Sequence, residues 1–430
     1  MDSVGGEHPL LATIRARYRP RIADGLVQDA LRVAPAALIE GPRACGKTWT
    51  GGQAARSAVM IDSEESAAVT SAMARRLLLA GDRPRLIDEY HLSPGIWNPM
   101  RRVCDEVGLP GQFILTGSAV PPDSHTRHTG AGRVRRVRMR PMTLYESGES
   151  TGAVSVRGLL GSETVSAPAL ENEPDMYELV CRGGWPALQG MPGADAQQML
   201  RDYLADLCKA DIEQVDQARR DPVGVARLLE SLSRNIATSA SRRVLASDMD
   251  TIRPADPRTV AAYLSALERL FVLEHLTPWP ADLRTRAHIA ATPKRYLVDP
   301  SLAVAARRAS RARLMADPRG FGALFESLAV RDLRVYAEAN DAQIHYYRDN
   351  TGLEVDVIIE HSDGRWVAVE IKLGGGRGPD NAAAALMRLR GKVNLERAGE
   401  PSKLLVVTAG GYAYEREDGV AVAPLTTLAP

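Results

Sequence analysis

Short apolar runs alternate with amphipathic stretches along the first third of the chain. The runs are AALIE (36–40), AVMID (58–62), RLID (85–88), QFILT (112–116) and VRRVRMR (134–140). Strands that alternate with helices are typical of a parallel sheet with crossover connections. The pattern therefore predicts a parallel α/β domain over residues 1–150, which begins with a helical lead-in that ends at Pro35.

The pattern changes twice after this domain. Residues 147–172 are polar and rich in glycine, which predicts a linker or an irregular insertion. Residues 174–290 are mainly helical, and within 223–275 a short helix, a turn and a longer helix precede strand-like residues, which is the outline of a winged helix. Residues 291–430 contain a long helix, three strand candidates, another helix and the strand KLLVVTA, which predicts a second α/β domain.

Composition narrows the class of protein. The 430 residues carry a formal net charge of +1, so a nucleic-acid site has to be a local basic patch. The four cysteines are scattered without CxxC spacing, which favours neither a disulfide framework nor a structural zinc site. The sequence contains no secretory signal and no run of about 18 apolar residues. We therefore expect a cytoplasmic protein without a membrane partner.

Lysine is rare in this chain. Six of the 54 basic residues are lysines, namely Lys47, Lys209, Lys294, Lys372, Lys392 and Lys403. Because arginine serves wherever a positive charge suffices, a position that stays lysine is a candidate for chemistry that needs an ammonium group. Lys47 and Lys372 lie in motifs that require lysine, whereas drift alone explains the other four.

The segment GPRACGKT (41–48) matches the pattern G-x-x-x-x-G-K-[ST] and follows an apolar strand. Glycines in such a loop let backbone N–H groups point into one hollow, where they bind phosphate oxygens beside a helix N-terminus. We expect Lys47 to contact the β- and γ-phosphates of ATP and the Thr48 hydroxyl to bind Mg²⁺. The predicted ATP-binding residues of this segment are Gly41, Pro42, Arg43, Ala44, Cys45, Gly46, Lys47, Thr48 and Trp49.

Two further strands end in polar residues. RLIDEYH (85–91) places Asp88 and Glu89 at a strand end, where Asp88 is expected to hold Mg²⁺ through water and Glu89 to activate the attacking water. FILTGSA (113–119) places Thr116 or Ser118 where a hydroxyl contacts the γ-phosphate or that water. A helix cap or a plain turn explains either segment alone. Three such elements in this order indicate one crevice at the carboxyl ends of the strands.

Several motifs together carry a family resemblance. GPRACGKT, LIDEYHLSP, FILTGS, GR (132–133) and RMRPMTLYE (138–146) resemble the AAA-type P-loop ATPases that carry a C-terminal, restriction-endonuclease-like domain of unknown function. The resemblance implies the sheet order five-one-four-three-two, with the strand of FILTGS between the strands that bear Lys47 and Asp88. It also implies that Arg133 faces the γ-phosphate from the same or a neighbouring subunit. A solvated basic strand edge is the alternative for the arginines of this region, Arg127, Arg133, Arg135 and Arg136.

The C-terminal domain carries acidic residues near one lysine. Glu326 lies in a predicted helix, and Glu370 and Lys372 lie on the strand of VEIK. Because strand side chains alternate between faces, Asp356 is expected to share a face with Glu354 and Ile358. A hairpin across HSDG (361–364) would then bring Asp356, Glu370 and Lys372 together, with Glu326 completing the set.

Two carboxylates and an ammonium at a hairpin are the layout of metal-dependent phosphodiester cleavage. The acids hold a divalent cation, and the lysine positions or deprotonates water. The spacing resembles the PD-(D/E)xK nuclease pattern, with Val355 in place of the proline. A second divalent metal at this cluster is therefore a hypothesis. Active cleavage, DNA or protein binding by an inactive core, and a structural ion-pair cluster stay open as interpretations.

The middle region and the motifs lead to three functional hypotheses. Arg253 and Arg258 lie near the start of the long middle helix, where a recognition helix meets base edges, although winged helices also serve as protein–protein spacers. The leading hypothesis is a slow Mg²⁺-dependent ATPase that acts as a nucleotide-driven switch on or near DNA. The alternatives are an ATP-gated metal-dependent nuclease and a non-enzymatic module that holds the nucleotide. Whether the chain forms a homo-oligomer stays open.

Overall fold

The computed structural model describes residues 9–61, 78–119, 130–215, 220–250, 255–280, 292–374 and 377–430. Arg127 and Arg253 lie outside the described residues. The chain divides into two compact units. The first comprises residues 1–141, 212–219 and 269–271, and the second comprises residues 142–211, 220–268 and 272–430. No helix in the described part of the chain is long and apolar enough to cross a membrane.

A five-stranded parallel sheet forms the centre of the first unit. Its strands are β1 (Ala36–Glu40), β2 (Ser57–Met60), β3 (Arg85–Asp88), β4 (Phe113–Gly117) and β5 (Val134–Arg138). Their order across the sheet is β2–β3–β4–β1–β5, and all neighbouring strands are parallel. The predicted parallel α/β domain and the order five-one-four-three-two are confirmed, with β4 between β1 and β3.

Alternating side chains of these strands build a core on each face of the sheet. The helices of this unit are α1 (Pro9–Arg17), α2 (Ala23–Val33), α3 (Lys47–Ala54) and α4 (Trp97–Val107), with a further turn at Ile212–Gln214. On one face Ile39 packs with Leu11 of α1 and Val27 of α2. On the other face Leu38 packs with Trp97 of α4. Both faces are covered at β1 and β4, whose residues are all buried, which explains why these two strands read as nearly continuous apolar runs.

Helix α3 packs closely against its neighbours. It is eight residues long. A Cβ on Gly51 would lie 2.9 Å from Cδ1 of Leu86, and a Cβ on Gly52 would lie 2.4 Å from Cδ1 of Ile14. The two glycines that weaken the helical pattern therefore allow α3 to approach both the sheet and α1.

The second unit combines many helices with a larger sheet. Its helices are α5 (Leu144–Ser147), α6 (Val156–Leu160), α7 (Met176–Arg182), α8 (Gly193–Asp206), α9 (Pro222–Arg234), α10 (Arg242–Met249), α11 (Pro257–Arg269), α12 (Pro300–Ala306), α13 (Arg311–Met315), α14 (Pro318–Glu338), α15 (Gly378–Lys392) and α16 (Leu395–Ala398). Its strands are β6 (Val154–Ser155), β7 (Leu273–Leu276), β8 (Lys294–Leu297), β9 (Ala342–Arg348), β10 (Glu354–His361), β11 (Trp366–Ile371), β12 (Lys403–Thr408), β13 (Tyr414–Glu415), β14 (Ala421–Pro424) and β15 (Leu428–Ala429). The predicted helical character of the middle region agrees with these bounds.

Three helices and a pair of strands occupy the middle of the chain. Helices α9, α10 and α11 precede the antiparallel pair β7–β8. Thr238, between α9 and α10, forms an isolated antiparallel bridge with Arg295 of β8. A strand position therefore follows the first helix, and an antiparallel strand pair follows the third. Arg258 is exposed in the first turn of α11.

The C-terminal sheet has six strands in the order β13–β14–β12–β11–β10–β9. Strands β9, β10 and β11 form an antiparallel meander, whereas β11, β12 and β14 run parallel. A register irregularity separates Val355 from Ile358, and both side chains pack in the same core. The face expected to be shared by Glu354, Asp356 and Ile358 is therefore wrong for Ile358, because a bulge in β10 interrupts the alternation. Glu354 and Asp356, in contrast, both lie near Lys294.

The segment expected to be a linker is part of the second unit. Within residues 147–172, β6 pairs with β15 through Val154 and Leu428, and helix α6 follows directly. Ala167 forms an antiparallel bridge with Ala413. The linker expectation is therefore wrong, because hydrogen bonds to residues far along the chain give regular structure to a sequence without a strong periodic pattern.

Candidate functional site

The loop between β1 and α3 holds the residues predicted to bind ATP. Lys47 is 4% exposed, and its Nζ donates a hydrogen bond to the Pro42 carbonyl at 2.9 Å. Gly46 has a φ of 105° and Ala44 a φ of 64°. A Cβ on Gly41 would lie 2.2 Å from the Met139 carbonyl oxygen, so only glycine fits there. Left-handed backbone before a helix N-terminus is typical of an anion-binding loop.

Residues of the helical lead-in support this loop, a feature that the sequence reasoning missed. Arg21 is 8% exposed and donates hydrogen bonds to the Cys45 carbonyl at 2.9 Å and to the Arg140 carbonyl at 2.8 Å. Tyr18 donates a hydrogen bond to Asp24 and shares another with Thr50 of α3 at 2.9 Å. No sequence signal identifies Arg21, because it is one of many arginines and its partners are backbone carbonyls.

Asp88 and Thr48 meet at the carboxyl ends of β1 and β3. The Thr48 hydroxyl donates a hydrogen bond to Oδ2 of Asp88 at 3.1 Å, and the Thr116 hydroxyl donates one to Oδ1. Burial raises the pKa of Asp88, while the two threonine hydrogen bonds oppose that rise. The two predicted Mg²⁺ ligands, Thr48 and Asp88, therefore lie in contact at one edge of the sheet, beside Lys47.

Thr116 contacts the acidic pair rather than standing free in the crevice. Its side chain is fully buried, and besides its bond to Asp88 it accepts a hydrogen bond from the Glu89 backbone N–H at 3.0 Å. Ser118 is half-buried, and its hydroxyl donates a hydrogen bond to the Glu89 carboxylate at 3.3 Å. The buried threonine is thus placed to orient Asp88 and Glu89.

Glu89 occupies an uncommon backbone conformation directly after β3. Its φ is 51°, in the left-handed region, where strain of a non-glycine residue often marks functional sites. Burial raises the pKa of this carboxyl, but nearby His91, Lys47 and Ser118 lower it by a larger amount, so that the pKa is about 2. The Nδ1 atom of His91 lies 3.2 Å from the Glu89 carboxylate. Glu89 is therefore ionised at neutral pH beside Lys47.

Arg133 lies at the amino ends of the strands, whereas the P-loop lies at their carboxyl ends. Its carbonyl accepts a hydrogen bond from Ala36 at the start of β1, whereas the P-loop follows the end of β1. The guanidinium is 42% exposed and donates a hydrogen bond to Asp105 at 2.7 Å. The expectation that Arg133 faces the γ-phosphate of its own subunit is therefore wrong. Contact with a neighbouring subunit's nucleotide stays as a prediction, and a solvated basic strand edge stays as its alternative.

The C-terminal side chains converge as the hairpin predicted. Nζ of Lys372 lies 3.2 Å from Oδ2 of Asp356 and 2.6 Å from Oε2 of Glu370. The Ile371 N–H also donates a hydrogen bond to Oδ2 of Asp356 at 2.9 Å. Glu326 lies on α14, as expected, within electrostatic range of Asp356.

A second lysine, from β8, completes this cluster. The Lys294 side chain is 4% exposed, and its Nζ lies 2.7 Å from Glu354, 3.4 Å from Glu326 and 3.8 Å from Asp356. The Tyr296 hydroxyl donates a hydrogen bond to Glu326 at 2.8 Å. Drift was the explanation given for Lys294 from the sequence. The signal that could have identified this residue was the presence of a lysine in a chain that mostly uses arginine.

Burial and like charges shift the acids of the cluster. Burial raises the pKa of Glu370, and the nearby Asp356 charge raises it further, against the opposing effect of Lys372. Burial and Asp356 likewise raise the pKa of Glu326 against Lys294. Among the described residues, no group of three or more His, Cys, Asp and Glu side chains is arranged to hold a metal ion.

Three family models match successive parts of the chain. Residues 34–147 match a model described as "AAA domain", residues 173–313 match "Domain of unknown function (DUF8612)", and residues 321–428 match "Domain of unknown function (DUF4143)". The first match, together with the P-loop and the parallel sheet, supports an AAA-type ATPase domain in the N-terminal part of the chain.

Similar proteins are known from mycobacteria. The uncharacterized proteins Rv2008c of Mycobacterium tuberculosis and Mb2031c of Mycobacterium bovis are 26% identical over 410 residues, which is 94% of this chain and 83% of each relative. Among solved structures, the Walker-type ATPase paby2304 of Pyrococcus abyssi has a TM-score of 0.40 at 14% identity and covers 68% of this chain and 99% of its own. AMPPCP-bound DnaA from Aquifex aeolicus has a TM-score of 0.27 at 14% identity, with 59% and 88% covered.

Proposed function

We propose that this chain binds Mg²⁺–ATP and hydrolyses it slowly, as a nucleotide-driven switch. The contact between Thr48 and Asp88 carries the proposal, because it joins the P-loop and the acidic strand end at 3.1 Å beside the buried Lys47. A hydroxyl and a carboxylate on neighbouring elements are the oxygen ligands that Mg²⁺ uses next to phosphates. If Asp88 served only as a helix cap, a contact with Thr48 of the P-loop helix would not be expected.

The residues divide the work of binding and hydrolysis. The P-loop amides and Lys47 hold the phosphates, and Thr48 and Asp88 hold Mg²⁺, which neutralises charge on the β- and γ-phosphates when bound. Glu89, ionised and held by Ser118, orients the attacking water. Thr116 positions both acids from β4.

Turnover of radiolabelled ATP tests these roles. We expect Lys47→Ala to abolish ATP binding, because the other basic residue of the P-loop, Arg43, is exposed and does not replace a buried ammonium. Glu89→Gln should keep binding and lose turnover, because the amide cannot activate water. Glu106→Gln, the same change at an exposed position of α4, is the matched control and should retain turnover.

The outcomes separate the proposal from its alternatives. Normal hydrolysis by Glu89→Gln would make the catalytic assignment of Glu89 wrong. Tight retention of ATP by the wild-type protein, without phosphate release over hours, would instead favour a non-enzymatic nucleotide-holding module. Failure of the wild-type protein to bind Mg²⁺–ATP would remove the proposal altogether.

We also propose that the switch acts on or near DNA through a winged-helix-like middle region. The order of α9, the Thr238 bridge, α10, α11 and the β7–β8 hairpin supports this interpretation. ATP-loaded Glu89→Gln protein and ADP-loaded wild-type protein should differ in affinity for duplex DNA, with a salt dependence that reflects phosphate contacts. Absence of binding in both states would limit the function to nucleotide turnover and favour the spacer interpretation.

The C-terminal element order supports a restriction-endonuclease-like core as a further part of the proposal. Helix α14, the meander β9–β10–β11, helix α15 and the parallel strand β12 follow one another in the order that the PD-(D/E)xK resemblance implies. An ATP-gated nuclease would need a divalent metal at Asp356 and Glu370. The position of Lys294 argues against that alternative.

The supply of Arg133 by a neighbouring subunit belongs to the proposal as well. Its exposed guanidinium near the N-terminal edge of the sheet suits a contact with a second copy, as AAA-type resemblance implies. Such an arrangement would require a homo-oligomer, whose presence is measured by light scattering with and without ATP.

A further inference from the structure

Lys294 lies inside the C-terminal acidic cluster. Its side chain is 4% exposed and is therefore almost completely buried. Three carboxylates surround the ammonium, with Nζ 2.7 Å from Glu354, 3.4 Å from Glu326 and 3.8 Å from Asp356. Glu354 and Glu326 lie within hydrogen-bond distance of the ammonium, whereas Asp356 lies at the distance of an ion pair.

The lysine comes from outside the helix, meander and strand that carry the acids. Glu326 lies on α14 and Glu354 and Asp356 lie on β10, whereas Lys294 begins β8 of the middle region. The ring of Tyr346 lies 5.6 Å from its Nζ and adds a further contact on one side. The ammonium of Lys294 thus reaches the cluster from a different element than that of Lys372.

Asp356 stands between the two lysines. Its Oδ1 faces Lys294 at 3.8 Å, and its Oδ2 faces Lys372 at 3.2 Å and accepts the Ile371 N–H at 2.9 Å. A divalent cation bound by carboxylates needs oxygens at about 2.0–2.6 Å on several sides. Both oxygens that such an ion would use on Asp356 already face an ammonium.

We propose that Lys294 is the built-in cation of the C-terminal cluster and that its ammonium takes the place of a divalent metal among Glu326, Glu354 and Asp356. The cluster is then a latent metal site closed by a side chain. It holds the sheet to β8 by charge and does not perform metal-dependent phosphodiester cleavage. The proposal is independent of ATP hydrolysis, since it concerns other residues and other chemistry.

Replacement of Lys294 by methionine should open the site, because methionine keeps the apolar stem and removes the charge. Calorimetry measures the binding of Mn²⁺ to the nucleotide-free, full-length protein. The Asp356→Asn change, made in each background, identifies binding at this cluster and excludes binding at Asp88. We expect wild-type and Lys294→Arg proteins to show no Mn²⁺ binding that Asp356→Asn removes.

Lys294→Met should gain Mn²⁺ binding that is stronger than any wild-type signal by about tenfold or more, equal to about 1.4 kcal/mol, and Asp356→Asn should remove the gain. A folded Lys294→Met protein without this gain would overturn the proposal. Binding of Mn²⁺ by the wild-type protein that Asp356→Asn abolishes would also overturn it, even where Lys294→Met fails to fold. The same holds for Mn²⁺-dependent DNA cleavage by the wild-type protein that is lost in Asp356→Asn.

Discussion

At the scale of single residues, the few lysines of the chain mark the places where an ammonium has a particular environment. Lys47 is buried in the P-loop, and Lys294 and Lys372 are surrounded by carboxylates. A compact ammonium donates hydrogen bonds to as many as three oxygens in a small space, whereas the planar guanidinium of arginine needs more room. The rarity of lysine was therefore informative at three positions, of which the motifs identified two.

Thr116 provides a residue-scale prediction. Thr116→Val keeps the shape of the buried side chain but removes the hydroxyl that contacts Asp88 and the Glu89 N–H. We expect turnover to fall by about 10- to 100-fold, because partners that orient metal-binding and catalytic groups have effects of this size. The free energy of unfolding should fall by about 1–3 kcal/mol, since buried polar groups lose a partner.

Ser118→Ala is the matched control for Thr116→Val. Ser118 is half-buried and its hydroxyl donates a hydrogen bond to the Glu89 carboxylate at 3.3 Å, so its effect on stability should be smaller than that of the fully buried Thr116. Both proteins are compared by steady-state ATP turnover and by urea unfolding. Wild-type turnover in Thr116→Val would mean that β4 does not position the acids.

At the scale of elements, helix α3 shows a conflict between helix propensity and packing. Alanine favours a helix interior over glycine by about 1 kcal/mol. At Gly52, however, a Cβ would lie 2.4 Å from Cδ1 of the fully buried Ile14. The packing of α1 on α3 therefore decides the residue at this position.

Gly52→Ala tests this conflict. We expect a loss of about 1–3 kcal/mol in the free energy of unfolding, because the added methyl overpacks the contact with α1. Ile14→Val removes the δ1 methyl, so the double variant Gly52→Ala/Ile14→Val should recover much of the loss in a double-mutant cycle.

Gly25→Ala is the control for the Gly52 variant. Gly25 lies in α2, where an added Cβ meets no atom within 4 Å, and the change should stabilise the protein by about 0.4–1 kcal/mol. Urea unfolding measures the free energy of unfolding of the wild-type protein, the two single variants of the cycle, the double variant and Gly25→Ala. A stabilising Gly52→Ala, or no rescue by Ile14→Val, would contradict the packing argument.

At the scale of the whole molecule, the two chemical sites belong to different compact units. Lys47 and Asp88 lie in the first unit, and Asp356 and Lys294 lie in the second. Binding of a ligand only to the folded state stabilises a protein, by about 2.7 kcal/mol at a ligand concentration of 100 Kd. Mg²⁺–ATP should therefore raise the thermal midpoint through the first unit.

The change in midpoint on addition of Mg²⁺–ATP is measured by calorimetry. We expect Lys47→Ala to lose the change and Asp356→Asn to keep it, because the acid of the second unit takes no part in nucleotide binding. Lys209→Ala, at an exposed lysine of the second unit, is the control for the loss of a lysine charge. Loss of the change in Asp356→Asn would contradict the separation of the two sites.

The sequence by itself determined the local features of both sites. Strand β1, the P-loop and the acidic end of β3 follow from runs and motifs a few residues long, and the C-terminal hairpin follows from the two strand runs that flank HSDG. These features depend on neighbouring residues, whose spacing the backbone geometry sets directly. The sheet order came from family resemblance, because nothing in a single strand states which strand lies next to it.

Only the tertiary structure decided which distant residues complete the sites. Arg21 supports the P-loop from the helical lead-in, and Lys294 reaches the acidic cluster from β8. Arg133 lies at the amino ends of the strands, away from the P-loop at their carboxyl ends. Each of these positions depends on packing between elements separated by many residues. Long-range packing leaves no periodic pattern in the chain, and for that physical reason the sequence determined the acids and the P-loop but not the cation that closes the cluster.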